Sequence, residues 1–322
     1  MSASPRRLFA DSSFWNQPIE PHAATDPGSD RYLEILNQEH GGTFWINCLE
    51  YAIPVCEVDA RTPRHTIHQW ALEPGRAPER WAPRDKYWSQ GPGFGHHGPI
   101  PVDATPDPGT DHHLALIDWS ADTVWDMWAC RRRPDSEWES RTGMVYKASG
   151  SGVWKTSDFA VKNGESIHFH GPGRAAGVPI IAGLVMRDEL LAGVVPHKVA
   201  MATWYNAFQQ FVFPATWTDG FRDEGLPEGA VMQLDPTLDL ARFDLSPAAR
   251  ALAKAMQVYG MVNVDNARGN VVYTEGLYGR GGLTWDGILN PDELKQIPLA
   301  SYRVLKLGPI THMGDSRAAG QH

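Results

Sequence analysis

The stretch from Asp111 to Trp128 carries two carboxylates, an imidazole and an indole: Asp111, His113, Asp126 and Trp128. Glycoside hydrolysis needs one carboxyl group to protonate or attack and a second one roughly 5–10 Å away. It also needs a flat ring on which a sugar can stack, and indole serves best. Asp126 is the expected first carboxylate and Trp128 the expected platform. The second carboxylate is expected from Asp111, or from Asp188 or Glu189 further along. The plainer alternative is that Asp126 is a partly exposed strand residue hydrogen-bonded to a loop. The same residues also suit uronate elimination, in which a His or Tyr takes the proton beside a carboxylate that an Arg neutralises. His113 or His197 would be that base, and Arg174 or Arg187 the neutraliser.

Histidines gather as His65 and His68, His96 and His97, His112 and His113, and His168 and His170. An H-x-H on a strand points two rings the same way, as a metal site would, but the pattern is common by chance. The reading therefore expects no metal and no cofactor. Cys48 and Cys56 are close enough for a local disulfide in an oxidising compartment, with three inert thiols as the favoured alternative. The chain contains no G-x-S-x-G elbow, phosphate-binding loop, H-E-x-x-H or Gly-rich dinucleotide turn. Nucleotide chemistry and serine hydrolysis lose their usual signals.

A net charge of −9 disfavours nucleic acid and anionic membrane surfaces as partners, and weighs against an anionic polymer. No apolar run approaches the roughly 18 residues of a membrane span, and Met1 to Phe14 lacks an apolar leader. The expected compartment is extracellular if a leader has been removed and cytoplasmic otherwise. A chain with thirteen Trp residues commonly uses some as flat platforms as well as core filler, the plainer alternative being core or rim packing for most of them; a polysaccharide or oligosaccharide is the expected partner.

These side chains need a frame, and alternation supplies one. His113 to Asp118 and Thr123 to Cys130 flank a turn at Trp119 to Asp122 and read as a hairpin. With Asp118 opposite Thr123, one face holds His113, Ala115, Ile117, Val124, Asp126 and Trp128. The other holds Leu114, Leu116, Trp125 and Met127, a core face. The first face is expected to floor a cleft walled by the irregular Pro63 to Pro108 stretch, with Trp88, His96 and His97. Glu189, His197 and Arg187 are expected to approach it.

Helices are expected after Ser29, before Gly193, from Pro247 to Tyr259 behind a Ser246 cap, and in NPDELKQI. Thr43 to Val58 reads as a pair of strands, Met144 to Ser157 as another, and MVNVDNARGNVVYTEG as a closing hairpin. Many short strands, few helices and no compositional break predict one β-rich domain over residues 1–322, a two-sheet β-sandwich or jelly-roll-like fold. The phrases FWNQP, TDHHLALID, AGVPIIAGLVMRDELLAG with PHKVAM, and LSPAARALAKAMQVYG resemble a family of bacterial proteins, many of them exported. The resemblance spans most of the chain and implies no activity and no catalytic residue. The expected function is hydrolysis of glycosidic bonds on a Trp-lined cleft. The alternatives are a polysaccharide lyase and a non-catalytic glycan-binding or structural protein.

Overall fold

The computed structural model describes residues 6–38, 42–69, 97–140, 142–155 and 172–312, and these are mainly strand with three α-helices. With labels in chain order, a six-stranded sheet runs β1 (Trp45–Asn47), β11 (Val271–Tyr273), β6 (Val199–Thr203), β10 (Met261–Asn266), β9 (Val231–Leu234), β13 (Tyr302–Val304). A five-stranded sheet runs β5 (Thr142–Tyr146), β4 (Thr123–Trp128), β3 (Leu114–Asp118), β2 (Ile53–Glu57), β12 (Glu275–Gly276). A smaller sheet joins β8 (Leu226–Glu228), β7 (Asn206–Phe211) and Thr311–His312.

The two large sheets share a core. Ile53, Val55, Ala115, Ile117 and Val124 from one pack with Ala200, Ala202, Val262, Val264 and Val271 from the other. The apolar run Val178, Ile180, Ile181 and Leu184 lies in the same layer. On the far side of the six-stranded sheet, Met201, Met232, Leu234 and Met261 pack with α1 (Ser29–Leu36), α2 (Arg187–Ala192) and α3 (Pro247–Val258). Leu252 of α3 is fully buried there, which stabilises the helix by about 1.5–3 kcal/mol.

Local chemistry sets the helix ends. The Ser246 hydroxyl accepts from the Ala249 N–H at 3.1 Å, and Pro247 opens α3 where a missing N–H costs nothing. Gly193, at φ 74°, closes α2 in the left-handed region that suits glycine. At α1 the cap residue is Gly28 rather than Ser29. The Ser29 hydroxyl is taken by the Val304 N–H at 2.9 Å. The NPDELKQI helix is a single 3-10 turn, Glu293–Gln296.

The β3–β4 register is the expected one, with Ala115 opposite Asp126 and Asp118 opposite Thr123. Its surroundings are not. The Leu114, Leu116, Trp125 and Met127 face packs against Ile67, Ile100 and Trp138, while the opposite face enters the inter-sheet core. A hairpin covered on both sides floors no cleft along its length. The expected closing hairpin is corrected as well: β6 lies between β10 and β11, parallel to the first and antiparallel to the second. All five β6 residues are buried, so its backbone must find partners along both edges. Likewise β1 and β2 belong to different sheets, and of the Met144–Ser157 pair only β5 forms a described strand. Cys48, Cys56 and Cys130 are free thiols.

The chain changes sheet twice in register, between β1 and β2 and between β11 and β12. The Thr274 N–H donates to the Asn47 carbonyl at 3.2 Å, and the Ile53 N–H to the Thr274 carbonyl at 3.1 Å.

Candidate functional site

Beside this double crossing lies a cavity of ≈ 660 Å³, within the usual size of ligand pockets. Trp45, Tyr51, Trp204 and Tyr273 give it aromatic walls, and Asp111 and Asn266 are among its polar groups.

Asp111 is held by strained backbone. His112 and Ala129 both sit in the left-handed region, at φ 45° and 52°. They are tied across the hairpin end by Ala129 N–H to Asp111 O at 2.8 Å and Cys130 N–H to His112 O at 2.9 Å. Two such non-glycine residues cost about 1–3 kcal/mol each and persist where the surroundings enforce them. The Trp128 indole N–H donates to the Asp111 carboxylate.

Three further acids lie nearby: the charge of Asp111 acts on Asp219 and Asp265, and theirs on Glu228. In β10 the pairing with β6 slips between Met201 and Ala202, so Asn263 and Asp265 face consecutive β6 residues and Val264 is extra. Bulges re-aim side chains, and this one immediately precedes Asp265. Asp265 Oδ2 lies 3.6 Å from Arg174 Nη1. Arg174 is wholly buried, its guanidinium 3.9 Å from the Tyr273 ring centroid and its Nη2 donating to Ile180 O at 3.0 Å.

Asp219 precedes Gly220, where a Cβ would lie 2.1 Å from the Ala207 carbonyl. Only glycine lets this segment lie on β7 so closely. The Asn266 amide donates to Asp219 Oδ1. Glu228, at the end of β8, accepts from Asn206 Nδ2 at 3.3 Å, and the same amide reaches the Asp265 carbonyl at 2.7 Å. Asn263 Nδ2 in turn donates to Asn206 Oδ1 at 2.8 Å. Three asparagines therefore hold the carboxyl groups in place.

Electrostatics separates the acids. Glu228 is fully buried and hydrogen-bonded to the Asp219 carboxyl group, and two carboxyls bond only if one keeps a proton. Burial, then the charges of Asp219 and Asp265, push Glu228 well above the carboxylate range. Asp219 is open to water on one side with protein around the rest; that enclosure, with Asp111's charge, raises it to about 6. Asp265 is raised by burial and by Asp219 against the pull of Arg174. Asp111 is raised by burial, opposed by the Trp128 N–H and Arg174. Carboxyl groups whose environments drive their proton affinities apart are how one site holds an acid and a base together.

No protein-family model, curated protein or solved structure matches the chain. The cavity's chemistry is therefore read from its residues.

Of the residues expected from sequence, Asp111 lines the cavity, and Trp128 and His113 stand beside it. Burial, then Arg174, pushes the His113 ring down to about 3, so it is neutral and a weak base. Asp126 does not line the cavity. It is wholly buried, accepting from Gly173 N–H at 2.8 Å, Ile180 N–H at 2.7 Å and the Tyr146 hydroxyl at 3.1 Å. It anchors the 173–180 segment between the sheets. Glu189 and His197 are 3.1 Å apart at the start of α2, where Glu189 also accepts from Met186 N–H at 2.9 Å. Neither lines the cavity, nor does Arg187, whose N–H is bound to Glu275 at 2.9 Å.

His97 is exposed, its carbonyl bound by Arg64 at 2.7 Å. Trp88, His96, His168 and His170 lie outside the described residues. Among the described residues no three His, Cys, Asp or Glu side chains are grouped as a metal site requires. No described helix is long and apolar enough to cross a membrane.

Sequence reasoning missed Asp219, Glu228 and Asp265. One signal was present: in MVNVDN, Asn263 and Asp265 alternate with Val262 and Val264, placing polar groups on one face of an otherwise apolar strand.

Proposed function

We propose that the chain is a carbohydrate-active enzyme that hydrolyses glycosidic bonds in the aromatic cavity. The observation that carries this reading is Asp111 on a cavity wall shared with Trp45, Tyr51, Trp204 and Tyr273, backed by Asp219, Glu228 and Asp265, which do not themselves line the cavity. The Asp219–Glu228 pair shares one proton: Glu228 passes it to Asp219, the member that water reaches, which delivers it to the leaving oxygen, and the water that attacks the sugar returns a proton to the pair. Asp111, on the cavity wall, attacks the anomeric carbon or activates water. Arg174 offsets the charge of Asp111 and Asp265.

Elimination on a uronate is the second reading, and one observation favours it: Nε and Nη1 of the buried Arg174 make no hydrogen bond. Against it, burial and Asp265 hold the Tyr273 phenol well above its ordinary range, which suits a base poorly.

The test is incubation with a panel of polysaccharides. New reducing ends without absorbance at roughly 235 nm support hydrolysis, and absorbance there supports elimination. Retention on immobilised glycan with neither product would make this a binding module.

A further inference from the structure

Trp204, on the cavity wall, is in contact with a second ring outside it. That indole packs edge-on against Phe221, with ring centroids 4.9 Å apart and planes at 73°. Phe221 is 43% exposed, an unusual position for so large an apolar ring. Arg222 braces the group from behind, its guanidinium 4.9 Å from the Phe221 centroid, 5.4 Å from Tyr205 and 5.9 Å from Trp204.

The backbone beneath is fixed. Arg222 N–H donates to Asn206 O at 3.0 Å, and Phe208 N–H donates to Arg222 O at 2.7 Å. Gly225, like Gly220, is pressed against the strand, a Cβ there falling 2.4 Å from Tyr205 O. An aromatic ring held open to water by so rigid a support is preorganised for a flat apolar partner.

The same segment carries Asp219. Two residues of chain span at most about 7 Å, so Phe221 stands next to the proton-sharing pair and on the outer side of the cavity wall that Trp204 forms. We infer that Trp204 and Phe221 form a glycan-stacking subsite that holds the sugar unit next to the one cleaved. The inference rests on the proposed glycan reading and deepens it. The preferred substrate is a chain that continues past the cavity mouth, and its bound units are neutral. The chain's net charge of −9 opposes an anionic polymer.

The experiment compares the full chain with Phe221→Ala and Phe221→Tyr on β-glucan, xylan, galactomannan and soluble starch, and on the matching 4-nitrophenyl monoglycosides. Retardation in gels containing each polymer reports binding, and reducing ends or released nitrophenol report cleavage. Phe221→Ala should weaken polymer binding and raise the polymer KM about five- to twentyfold, on the scale of one lost stacking contact. Phe221→Tyr should restore both, and the monoglycosides should be cleaved at the parental rate by all three proteins. Polymer binding and KM unchanged in Phe221→Ala overturn the subsite while leaving hydrolysis standing. Phe221-dependent retardation without cleavage keeps the subsite and sinks the hydrolase reading. Neither retardation nor cleavage on any polymer overturns both.

Discussion

The Gly173 N–H donates to Asp126 Oδ1 over 2.8 Å, and a Cβ at Gly173 would lie 2.5 Å from that same oxygen. The residue with the most obvious chemical promise in the sequence is thus an anchor for the segment between the sheets. Asp126→Asn turns an acceptor into an NH2 group facing N–H and O–H donors. At least one buried donor then goes unmet, at about 1–3 kcal/mol. The expected result is a melting temperature lowered by several degrees with turnover per folded molecule unchanged. An unchanged melting temperature with lost turnover would return Asp126 to the reaction.

Glu228→Gln preserves shape and a donor to Asp219 but removes the transferable proton. The fold should survive, because glutamine mimics the neutral acid that Glu228 already is. Turnover at neutral pH should fall on the order of 100-fold or more, the scale of a lost proton donor. Parental turnover in this variant would dismiss the proton-sharing pair.

The same variant should reshape the pH profile. In the parent, activity persists above neutrality, because the pair keeps its last proton there. With Gln at 228, Asp219 must hold the proton itself, raised by burial but with no second acid to share it. The alkaline limb of residual activity should therefore move to lower pH than in the parent, as initial rates across buffers would record. Parallel alkaline limbs for the two proteins would contradict the assignment.

Folding stability should decline as pH rises from about 4 to beyond 6. Asp107, Asp126 and Asp219 are each raised to about 6, mainly by burial, against unfolded values of about 3.9. Across that window the unfolded chain releases protons that the folded chain retains, so stability present below pH 4 is lost through pH 6. Glu228 and Asp265 extend the decline upward. His113, lowered to about 3, works the other way between its two values, but it is one group against several. Thermal melts should therefore give a higher midpoint at pH 5 than at pH 7.5. The reverse order would mean that the buried acids are ionised in the folded state.

Local order was legible in the sequence and long-range order was not. Ser246 and Pro247, Gly193, and the alternation from His113 to Trp128 fix α3, α2 and the β3–β4 register through neighbouring residues alone. The insertion of β6 between β10 and β11 depends on pairing across distant sequence, which alternation does not encode. The site divides the same way. Asp111 and Trp128 flank one hairpin and were found together, whereas Asp219, Glu228 and Asp265 meet only because β7, β8 and β10 are brought side by side. Asp126 misled because alternation sorts residues into two faces without saying whether the second face meets water or another layer of core.

The double crossing beside the cavity has a bearing on biosynthesis. Trp45 opposes Val271, and both line the cavity, so an early segment of the polypeptide waits for a late one before the walls exist. Contacts of such sequence separation form slowly and late. A nascent chain still emerging from the ribosome, with Tyr273 not yet released, has neither floor nor wall to offer a ligand. The cavity's walls can close only after Tyr273 has left the ribosome.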